Sequence, residues 1–440
     1  MTTLPVVVIG AGPQGLAAAA HLRERGLTPV VVEQGPGPAA AVAEWGHVRL
    51  FSAWPELVDG AAARLLEPTG WTAPTAGYPT GADWIEHYLA PLAAALGEQV
   101  RYDSRVIAVS RKGRDRLVDS GRADQPFTVH LRNAAGDEER IEARAVIDAS
   151  GTWRRPGPAG ADGIPALGEV AATAADLVTY EVPDRARPQR FAGRHAVVVG
   201  AGASAFNAII ELARIAEAHP GTRITWALRR QVSGSTFGGG DADQLPARGA
   251  LGQQAKQAVT DGVVELLTGF RTSSVTVADG AAVVASEDGR VLAPADSVVV
   301  LTGFRPDLSF LSELRLDLDP TLEAPRAIAA EIDPNIHSCG SVRATGAPDL
   351  AQPEPDLYLV GMKSYGRAPT FLALTGYEQV RSVAAELAGD HEAARKVELV
   401  LPDTGVCGGA GVFDEPAGDG GGCCAAPSDQ LLTVGAKVGC

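Results

Sequence analysis

Two glycine-rich turns have the residue types and spacing that point most directly to chemistry. The first, GAGPQG, follows the apolar run at 6–9 and precedes an alanine-rich segment. In such a turn the first glycine permits a tight bend, the second lets a pyrophosphate approach the backbone, and the third lets helix and strand pack closely. Glu33 ends the next apolar run, where a carboxylate would bind ribose hydroxyls. The pattern predicts a dinucleotide site formed by Gly10, Gly12, Pro13, Gln14, Gly15, Glu33 and Gln34.

The second turn, GAGASA at 200–205, has alanine in the third glycine position. No acid follows its second strand, and two arginines stand there instead. A guanidinium holds a 2′-phosphate with paired donors, whereas a carboxylate would repel it. The turn therefore predicts a site that prefers NADPH to NADH, with the alternative that one or both arginines are solvated surface residues. The predicted contact residues are Gly200, Gly202, Ser204, Ala205, Arg229 and Arg230.

The segments around the turns predict the elements that position them. Residues 6–20 are echoed by 196–210, and each segment reads as a buried strand, a turn and a helix, followed by a second strand. Further buried strands are predicted at 144–151, 296–304 and 357–362, and amphipathic helices at 81–96 and 370–389. The predicted fold is α/β, with two Rossmann-like three-layer nucleotide-binding domains.

Composition excludes several classes of partner. The net charge of −15 argues against nucleic acid and anionic membranes. No apolar run approaches the roughly 18 residues that span a membrane, and the first run ends in glycines, unlike a signal peptide. Five scattered cysteines favour a reducing cytoplasm. We expect a cytoplasmic protein that acts on a small molecule, and a homodimer is left open.

The chain resembles flavoproteins with two dinucleotide-binding domains, such as thioredoxin reductases, mercuric reductases and flavin-containing monooxygenases. The resemblance covers roughly residues 4–395 and includes the strands "VIDASGTW", "VVVLTGFRPD" and "LYLVGM". It implies FAD at the first turn and NADPH at the second. It also implies an NADPH domain at 186–292, inserted in an FAD domain at 1–185 and 293–400. The further FAD contacts that it implies are Gly151, Gly303, Gly361 and Thr370.

The departures from that pattern bear on the reaction. The chain has neither a CxxC nor a CxxxxC motif, which puts a disulfide beside the flavin in doubt, and it lacks the FxGxxxH monooxygenase fingerprint. The segments "EWGHVRLFS" and "FGGGDADQLPARGALG" and the cysteine tail resemble bacterial flavoproteins encoded beside arsenic-resistance genes. The resemblance implies electron transfer from NADPH through FAD to a soft-atom substrate or oxygen, as in a monooxygenase.

Candidate reactive side chains lie in two segments. His47 and Arg49 belong to the loop at 44–59 that resembles a flavin cover, as a proton donor and an anion-binding residue; the alternatives are a hydrogen-bonded loop histidine and a structural ion pair. Three further candidates could stabilise negative charge on a reduced flavin. They are Lys363, Tyr365 and Arg367.

The glycine-rich segment 401–440 is predicted to be a flexible or disordered tail. Its adjacent thiols, Cys423 and Cys424, are soft ligands that could capture a thiophilic metal or trivalent arsenic, or relay electrons. Cys407 and Cys440 could add a third sulfur ligand. Two alternatives follow: a disulfide or metalloid reductase that uses these thiols, and a non-catalytic metalloid-binding flavoprotein. A tail without function is also left open.

Overall fold

The computed structural model describes residues 4–233, 236–240, 243, 245–335, 343–369 and 371–399. The strands in this part of the chain are β1 (Val6–Ile9), β2 (Pro29–Val32), β3 (Val100–Arg101), β4 (Ser104–Arg111), β5 (Phe127–Asn133), β6 (Glu138–Ala143), β7 (Ala145–Asp148), β8 (Val178–Thr179), β9 (His195–Val199), β10 (Arg223–Ala227), β11 (Glu265–Leu267), β12 (Thr272–Ala278), β13 (Ala281–Ser286), β14 (Ser297–Val300) and β15 (Leu357–Leu359).

Helices connect β1 to β2, β2 to β3 and β9 to β10, as neighbouring parallel strands require a crossover. They are α1 (Pro13–Glu24), α2 (Ala40–Glu44), α3 (Trp54–Leu57), α4 (Gly60–Leu66), α5 (Gly81–Trp84), α6 (Ala90–Leu96), α7 (Glu169–Ala174), α8 (Ala203–Ala218), α9 (Pro246–Thr260), α10 (Arg326–Ile332), α11 (Ala347–Leu350), α12 (Ala373–Leu387) and α13 (His391–Arg395). Among the described helices, none has the length and apolarity to cross a membrane.

The first domain is built on a parallel sheet of order β15-β7-β1-β2-β3. Because side chains alternate across a strand, Val6 and Val8 of β1 pack under helices that include α1, α4, α6 and α12. Val7 and Ile9 face the antiparallel sheet β4-β5-β6 on the other side. The apolar run of β1 is therefore buried on both faces, and the domain has three layers.

The second domain repeats this plan with the sheet β11-β10-β9-β14-β8. Val198 and Trp226 pack toward α8 and α9, whereas Val197 and Ala227 pack toward α7 and the ribbon β12-β13. The chain of this domain lies between β7 and β15, which are neighbours in the first sheet. The predicted α/β fold of two three-layer nucleotide-binding domains, one inserted in the other, is confirmed.

The second sheet includes one strand on either side of the predicted 186–292 segment. β8 lies before the first boundary and β14 after the second, yet both strands belong to the second sheet. Val298 pairs with Val197 of β9 and with Val178 of β8. A short buried run such as "SVVV" fits either parallel sheet, so its pattern alone could not assign it. The predicted tail at 401–440 lies outside the described residues.

The helix predicted at 81–96 is interrupted. Between α5 and α6 the chain forms one π-helical turn at Ile85–Leu89. Pro91 has no backbone N–H, so it cannot donate to the carbonyl of His87 four residues earlier. The side chain of Trp71 supplies the missing donor, with Nε1 at 2.8 Å from that carbonyl oxygen. The π-helical turn therefore leaves the carbonyl oxygen of His87 with a hydrogen-bond donor.

Candidate active site

The first glycine turn has the three separate properties that the sequence predicted. Gly10 has a φ of +99° and therefore favours glycine. A Cβ on Gly12 would meet no atom within 4 Å, so this face of the turn is open. A Cβ on Gly15 would lie 1.8 Å from the Gly10 carbonyl oxygen, so only glycine lets α1 pack this close. The open face lies at the N-terminus of α1, where free N–H groups attract phosphate.

The second turn repeats this geometry at the start of α8. Gly200 has a φ of +140°, and a Cβ there would lie 2.1 Å from the carbonyl oxygen of Leu301. Gly202 precedes α8 and, like Gly12, would present a Cβ to open space. Ala205 is buried inside the helix, and Ser204 faces a cavity. The alanine in the third position is therefore accommodated.

A cavity of about 960 Å³ lies between the two turns. Gly10, Gly12 and Gln14 line it from the first domain, while Ser204 and Asn207 line it from the second. Both predicted nucleotide sites therefore border the same space. Most of the remaining wall comes from residues within the segments 39–52, 149–155, 304–310, 360–363 and 371–373 and from the antiparallel sheet at 104–107.

Glu33 closes the end of the cavity beside β2. Its carboxylate oxygens each accept one backbone hydrogen bond, Oε2 from Ala11 and Oε1 from Gly35, both at 2.8 Å. The side chain is buried, so these donors orient it firmly. Each carboxylate oxygen keeps a lone pair for a hydroxyl. Gln34 follows on the same wall, and the predicted ribose position fits this arrangement.

The chain crosses between the domains twice, and the crossings pair with each other. Gly157 donates to the carbonyl oxygen of Gly303 at 2.7 Å, and Pro156 bridges Phe304 in antiparallel fashion. Trp153 stacks against Phe304 with ring centroids 5.0 Å apart. Both rings line the cavity, as does Gly151. Gly303 lies in the second crossing, and a Cβ on it would meet no atom within 4 Å.

Lys363 lies at the cavity wall but its ammonium group is already committed. Nζ lies 2.9 Å from Ser150 Oγ, 2.6 Å from the Asp307 carbonyl oxygen and 3.2 Å from Asp148 Oδ2. It also lies 4.9 Å from the centroid of the Phe310 ring. Lys363 and Asp148 are both fully buried. The positive charge of Lys363 is therefore one half of a buried ion pair, and its predicted role at the cofactor stays a prediction.

Two of the other candidate side chains face away from the cavity. Tyr365 is buried against Phe371, with ring centroids 5.0 Å apart, and burial raises the pKa of its phenol. Arg367 is exposed and donates to Glu323 at 2.7 Å. Neither borders the cavity, in contrast to their neighbours Gly361 and Lys363. Their predicted role at the cofactor has no direct contact to support it.

The covering loop places its two candidates differently. His47 lies with Nε2 at 3.0 Å from the Val182 carbonyl oxygen, so the ring is bonded to the backbone and does not border the cavity. Arg49 is exposed, lines the cavity and donates to the Tyr78 carbonyl oxygen. The loop is held by Glu44, which accepts from Trp153 Nε1 at 2.6 Å and pairs with Arg154. Of the two candidates, Arg49 is the one positioned to meet a ligand.

The predicted 2′-phosphate residues lie just after β10. Arg229 is exposed, and one of its terminal nitrogens donates to the Ala161 carbonyl oxygen at 2.9 Å. That contact fixes one end of the guanidinium against the segment at 161. Arg230 is half-buried at the next position. The NADPH preference remains a prediction for these residues.

Several predicted positions lie outside the described residues: Thr370, Cys407, Cys423, Cys424 and Cys440. The structure adds residues that the sequence reasoning missed. Tyr180 lines the cavity, and its burial raises the pKa of its phenol to about 12. Asp148 ends the apolar run AVID, and a carboxylate at the end of a buried strand was a signal that could have identified it.

The residues present fit both cofactors. The open face at Gly12 and the carboxylate of Glu33 match a pyrophosphate and an adenosine ribose, and the cavity volume is that of a large ligand. Ser204 and the start of α8 offer a second phosphate site on the opposite wall. The fold and this site define a flavin-dependent oxidoreductase with FAD and NADPH as its cofactors.

Comparisons with known proteins place this class within a family. The model of the pyridine nucleotide-disulphide oxidoreductases matches residues 7–325. The chain therefore belongs to that family. A ferredoxin–NADP reductase of Salinispora arenicola is 28% identical over 344 residues, which cover 75% of this chain and 86% of the relative.

Solved structures agree at the level of the fold. A bacillithiol disulfide reductase from Bacillus cereus has a TM-score of 0.65 and 20% identity, covering 88% of this chain and 99% of its own. A flavin-containing monooxygenase from Stenotrophomonas maltophilia has a TM-score of 0.54 and 21% identity, with the same coverage of both chains. The fold is thus shared by enzymes whose electron acceptors differ.

Proposed function

We propose that the protein transfers a hydride from NADPH to FAD and passes the electrons to a small soft-atom substrate or to oxygen. The observation that carries this proposal is the single cavity bordered by Gly12 of the first turn and Ser204 of the second. A hydride donor and acceptor must approach within about van der Waals contact, and a shared cavity permits it. FAD, when bound, would supply the electron chemistry, and the protein would supply position, charge and shelter from water.

The shape of the wall favours a small apolar substrate. Beyond the first turn the cavity is lined by Trp45, Leu50, Phe51, Phe371 and Leu372. Such a lining excludes water and accommodates an uncharged soft atom that carries apolar groups, for example an organic compound of trivalent arsenic. Oxygenation would use one NADPH, one proton and one O₂, placing one oxygen atom on the substrate and the other in water. We propose arsenic or another soft element as the substrate on this basis.

The sequence has neither a CxxC nor a CxxxxC motif, which favours a diffusing acceptor over a built-in disulfide. All five cysteines lie outside the described residues, so the side chains that line the cavity in this part of the chain include no thiol. A reductase of the thioredoxin reductase type would need the tail thiols to reach the cavity. This arrangement stays the alternative, since the length of 401–440 permits it in principle.

A second candidate is electron transfer to a protein acceptor. The relative from Salinispora arenicola is a ferredoxin–NADP reductase. Arg49, Arg154 and Arg155 are exposed and border the cavity, and with Glu44, the partner of Arg154, they leave a local excess of positive charge although the whole chain carries −15. Such a local field would attract an acidic electron carrier.

One set of measurements separates these candidates. NADPH oxidation, oxygen uptake and peroxide release are followed with and without trivalent arsenicals, and again with ferredoxin. Arsenic-dependent NADPH oxidation with matching oxygen uptake and little peroxide supports oxygenation. Arsenic-stimulated turnover without oxygen uptake supports reduction, and ferredoxin-dependent turnover alone supports the second candidate. NADPH oxidation that no acceptor stimulates would contradict all three.

The tail thiols have their own test. Cys423→Ser with Cys424→Ser should weaken binding of trivalent arsenic at least about tenfold, because two thiolate ligands are lost. FAD content should not change. Cys339→Ser is the matched control, since it removes one isolated thiol elsewhere in the chain. If the control and the double variant bind arsenic equally, the vicinal pair has no role in capture.

We also propose a homodimer. Ile164, Leu167 and Val170 are 63%, 76% and 73% exposed around the start of α7, and Val277 of the neighbouring ribbon is 44% exposed. Apolar clusters of this kind favour association. Sedimentation of the wild type and of Leu167→Glu tests it: a wild type that is already monomeric, or an unchanged variant, would contradict this surface.

A further inference from the structure

The end of the cavity beyond Glu33 is bordered by the first strand of the antiparallel sheet. The backbone of β4 is joined there to the end of β2, because Ser104 donates to the Glu33 carbonyl oxygen at 2.8 Å. Residues 104–107 all line the cavity. A dinucleotide that lays its pyrophosphate on the first turn and its adenosine ribose on Glu33 therefore has its adenine beside β4.

One arginine in this wall has an uncompensated charge. Arg105 is exposed and lines the cavity, and its guanidinium has no ion pair or hydrogen bond among the described residues. It stands directly opposite Arg132 of β5, which pairs with Glu138 at 2.6 Å. Like charges placed opposite each other destabilise an antiparallel pair of strands. The sheet therefore keeps an unpaired cation, at a local cost, beside the position of the adenine.

The strand that carries this arginine is irregular where it meets the cavity. The register of β4 against β5 shifts between Val106 and Ala108, so Ile107 is an extra residue in β4. A bulge of this kind bends the strand and re-aims its side chains, and bulges are common beside binding sites. The bulge follows Arg105 by two positions and is part of the same wall. The local shape of β4 is therefore that of a sheet edge adapted to a ligand.

The chemistry of the guanidinium identifies the part of the cofactor that it meets. The phosphates of FAD lie at the first turn, and the carboxylate of Glu33 would repel a further phosphate on the ribose, so the group beside β4 is the uncharged base. A guanidinium is planar and weakly hydrated, and it stacks on aromatic faces. We propose that the guanidinium of Arg105 stacks on the adenine of FAD. The inference concerns FAD binding alone, so it does not depend on which acceptor the enzyme uses.

The test measures FAD binding to the apo-protein by fluorescence quenching. Arg105→Ala should weaken FAD binding about fivefold to thirtyfold, the effect of losing one stacked cation. Arg105→Tyr should bind FAD like the wild type, because an aromatic ring also stacks on a base. Arg105→Lys keeps the charge but has no planar group, so it should bind as weakly as Arg105→Ala. Riboflavin 5′-diphosphate has the flavin and the pyrophosphate without adenosine, and the wild type and Arg105→Ala should bind it equally.

Arg140→Ala is the matched control, since Arg140 is an exposed arginine of the same sheet, in β6, that does not line the cavity. It should leave FAD binding unchanged, and melting temperatures of the apo-variants report any loss of folding separately. The assignment is overturned if Arg105→Ala binds FAD as tightly as the wild type or no more weakly than Arg140→Ala. It is equally overturned if Arg105→Lys keeps wild-type affinity, if Arg105→Tyr loses as much as Arg105→Ala, or if Arg105→Ala weakens riboflavin 5′-diphosphate as much as FAD.

Discussion

Removing one partner of the buried ion pair of Asp148 and Lys363 should lower the free energy of unfolding strongly. Both side chains are fully buried. Asp148 Oδ1 accepts from Ser150 N at 3.0 Å and from Ser150 Oγ at 2.6 Å, but Oδ2 meets Lys363 Nζ at 3.2 Å and no hydrogen-bond partner in the described chain. Lys363→Met would leave a buried carboxylate without neutralisation. The cost of such a change is about 3–5 kcal/mol.

Two further variants complete the test of the ion pair: Asp148→Asn, and the double variant that combines it with Lys363→Met. Asp148→Asn removes the opposing charge and should cost a similar amount, since Lys363 keeps only Ser150 and the Asp307 carbonyl. Combining both changes removes both charges, so the double variant should be more stable than the sum of the single variants implies, by about 1–3 kcal/mol. Additive losses, or a loss under about 1 kcal/mol for Lys363→Met, would refute the account of a buried charge pair.

Denaturation of the apo-variants by guanidinium is the assay, followed by tryptophan fluorescence and circular dichroism together because two domains need not unfold as one. Flavin reduction by NADPH is then measured on the reconstituted proteins. If the double variant regains stability but reduces flavin slowly, the charge of Lys363 acts on the cofactor as the sequence suggested. If both recover, the pair is structural.

Other predictions concern the two turns and one wall residue. Gly12→Glu should abolish FAD binding and leave apo-protein melting unchanged, whereas Gly15→Ala should lower the melting temperature too, because its Cβ meets the backbone at 1.8 Å. Arg229→Ala with Arg230→Ala should raise KM for NADPH about tenfold to a hundredfold and spare NADH; an unchanged preference places these arginines outside the site. The folded-state pKa of Tyr180 is raised to about 12, above its ordinary 10, so the stability gained from its neutral phenol is full below pH 10 and falls as the pH rises to 12. Urea denaturation of Tyr180→Phe against wild type should therefore show a difference that shrinks over this range, and a constant difference would contradict it.

The fold was predictable where one local pattern had one physical solution. The glycine turns, with apolar runs on either side, specify β1–α1–β2 and β9–α8–β10, and both were found. The three-stranded sheet β4-β5-β6 was missed although Phe127–Asn133 alternates buried and half-buried residues over its first five positions. That alternation is the signal of a strand with one solvated face, and it was available in the sequence.

The site was predictable only in its backbone. Glycines report on local geometry, so their roles can be read from spacing, as Gly10, Gly12 and Gly15 show. Side-chain partners are set by tertiary packing: Lys363 and Asp148 are more than two hundred positions apart, but Asp148 ends β7 and Lys363 follows the neighbouring strand β15. Tyr365 is two residues from Lys363 and points elsewhere. No local pattern distinguishes these outcomes.

The relation between the two nucleotide sites depends on neither turn. Each turn belongs to one domain, and the two chain crossings between the domains pair with each other at Gly157 and Gly303. A Cβ on Gly157 would lie 2.7 Å from Thr302 Oγ1, so the crossings approach as closely as the backbone allows. Trp153 and Phe304, which flank this contact, also form the cavity wall. A rotation of one domain against the other would therefore move these two rings of the cavity wall.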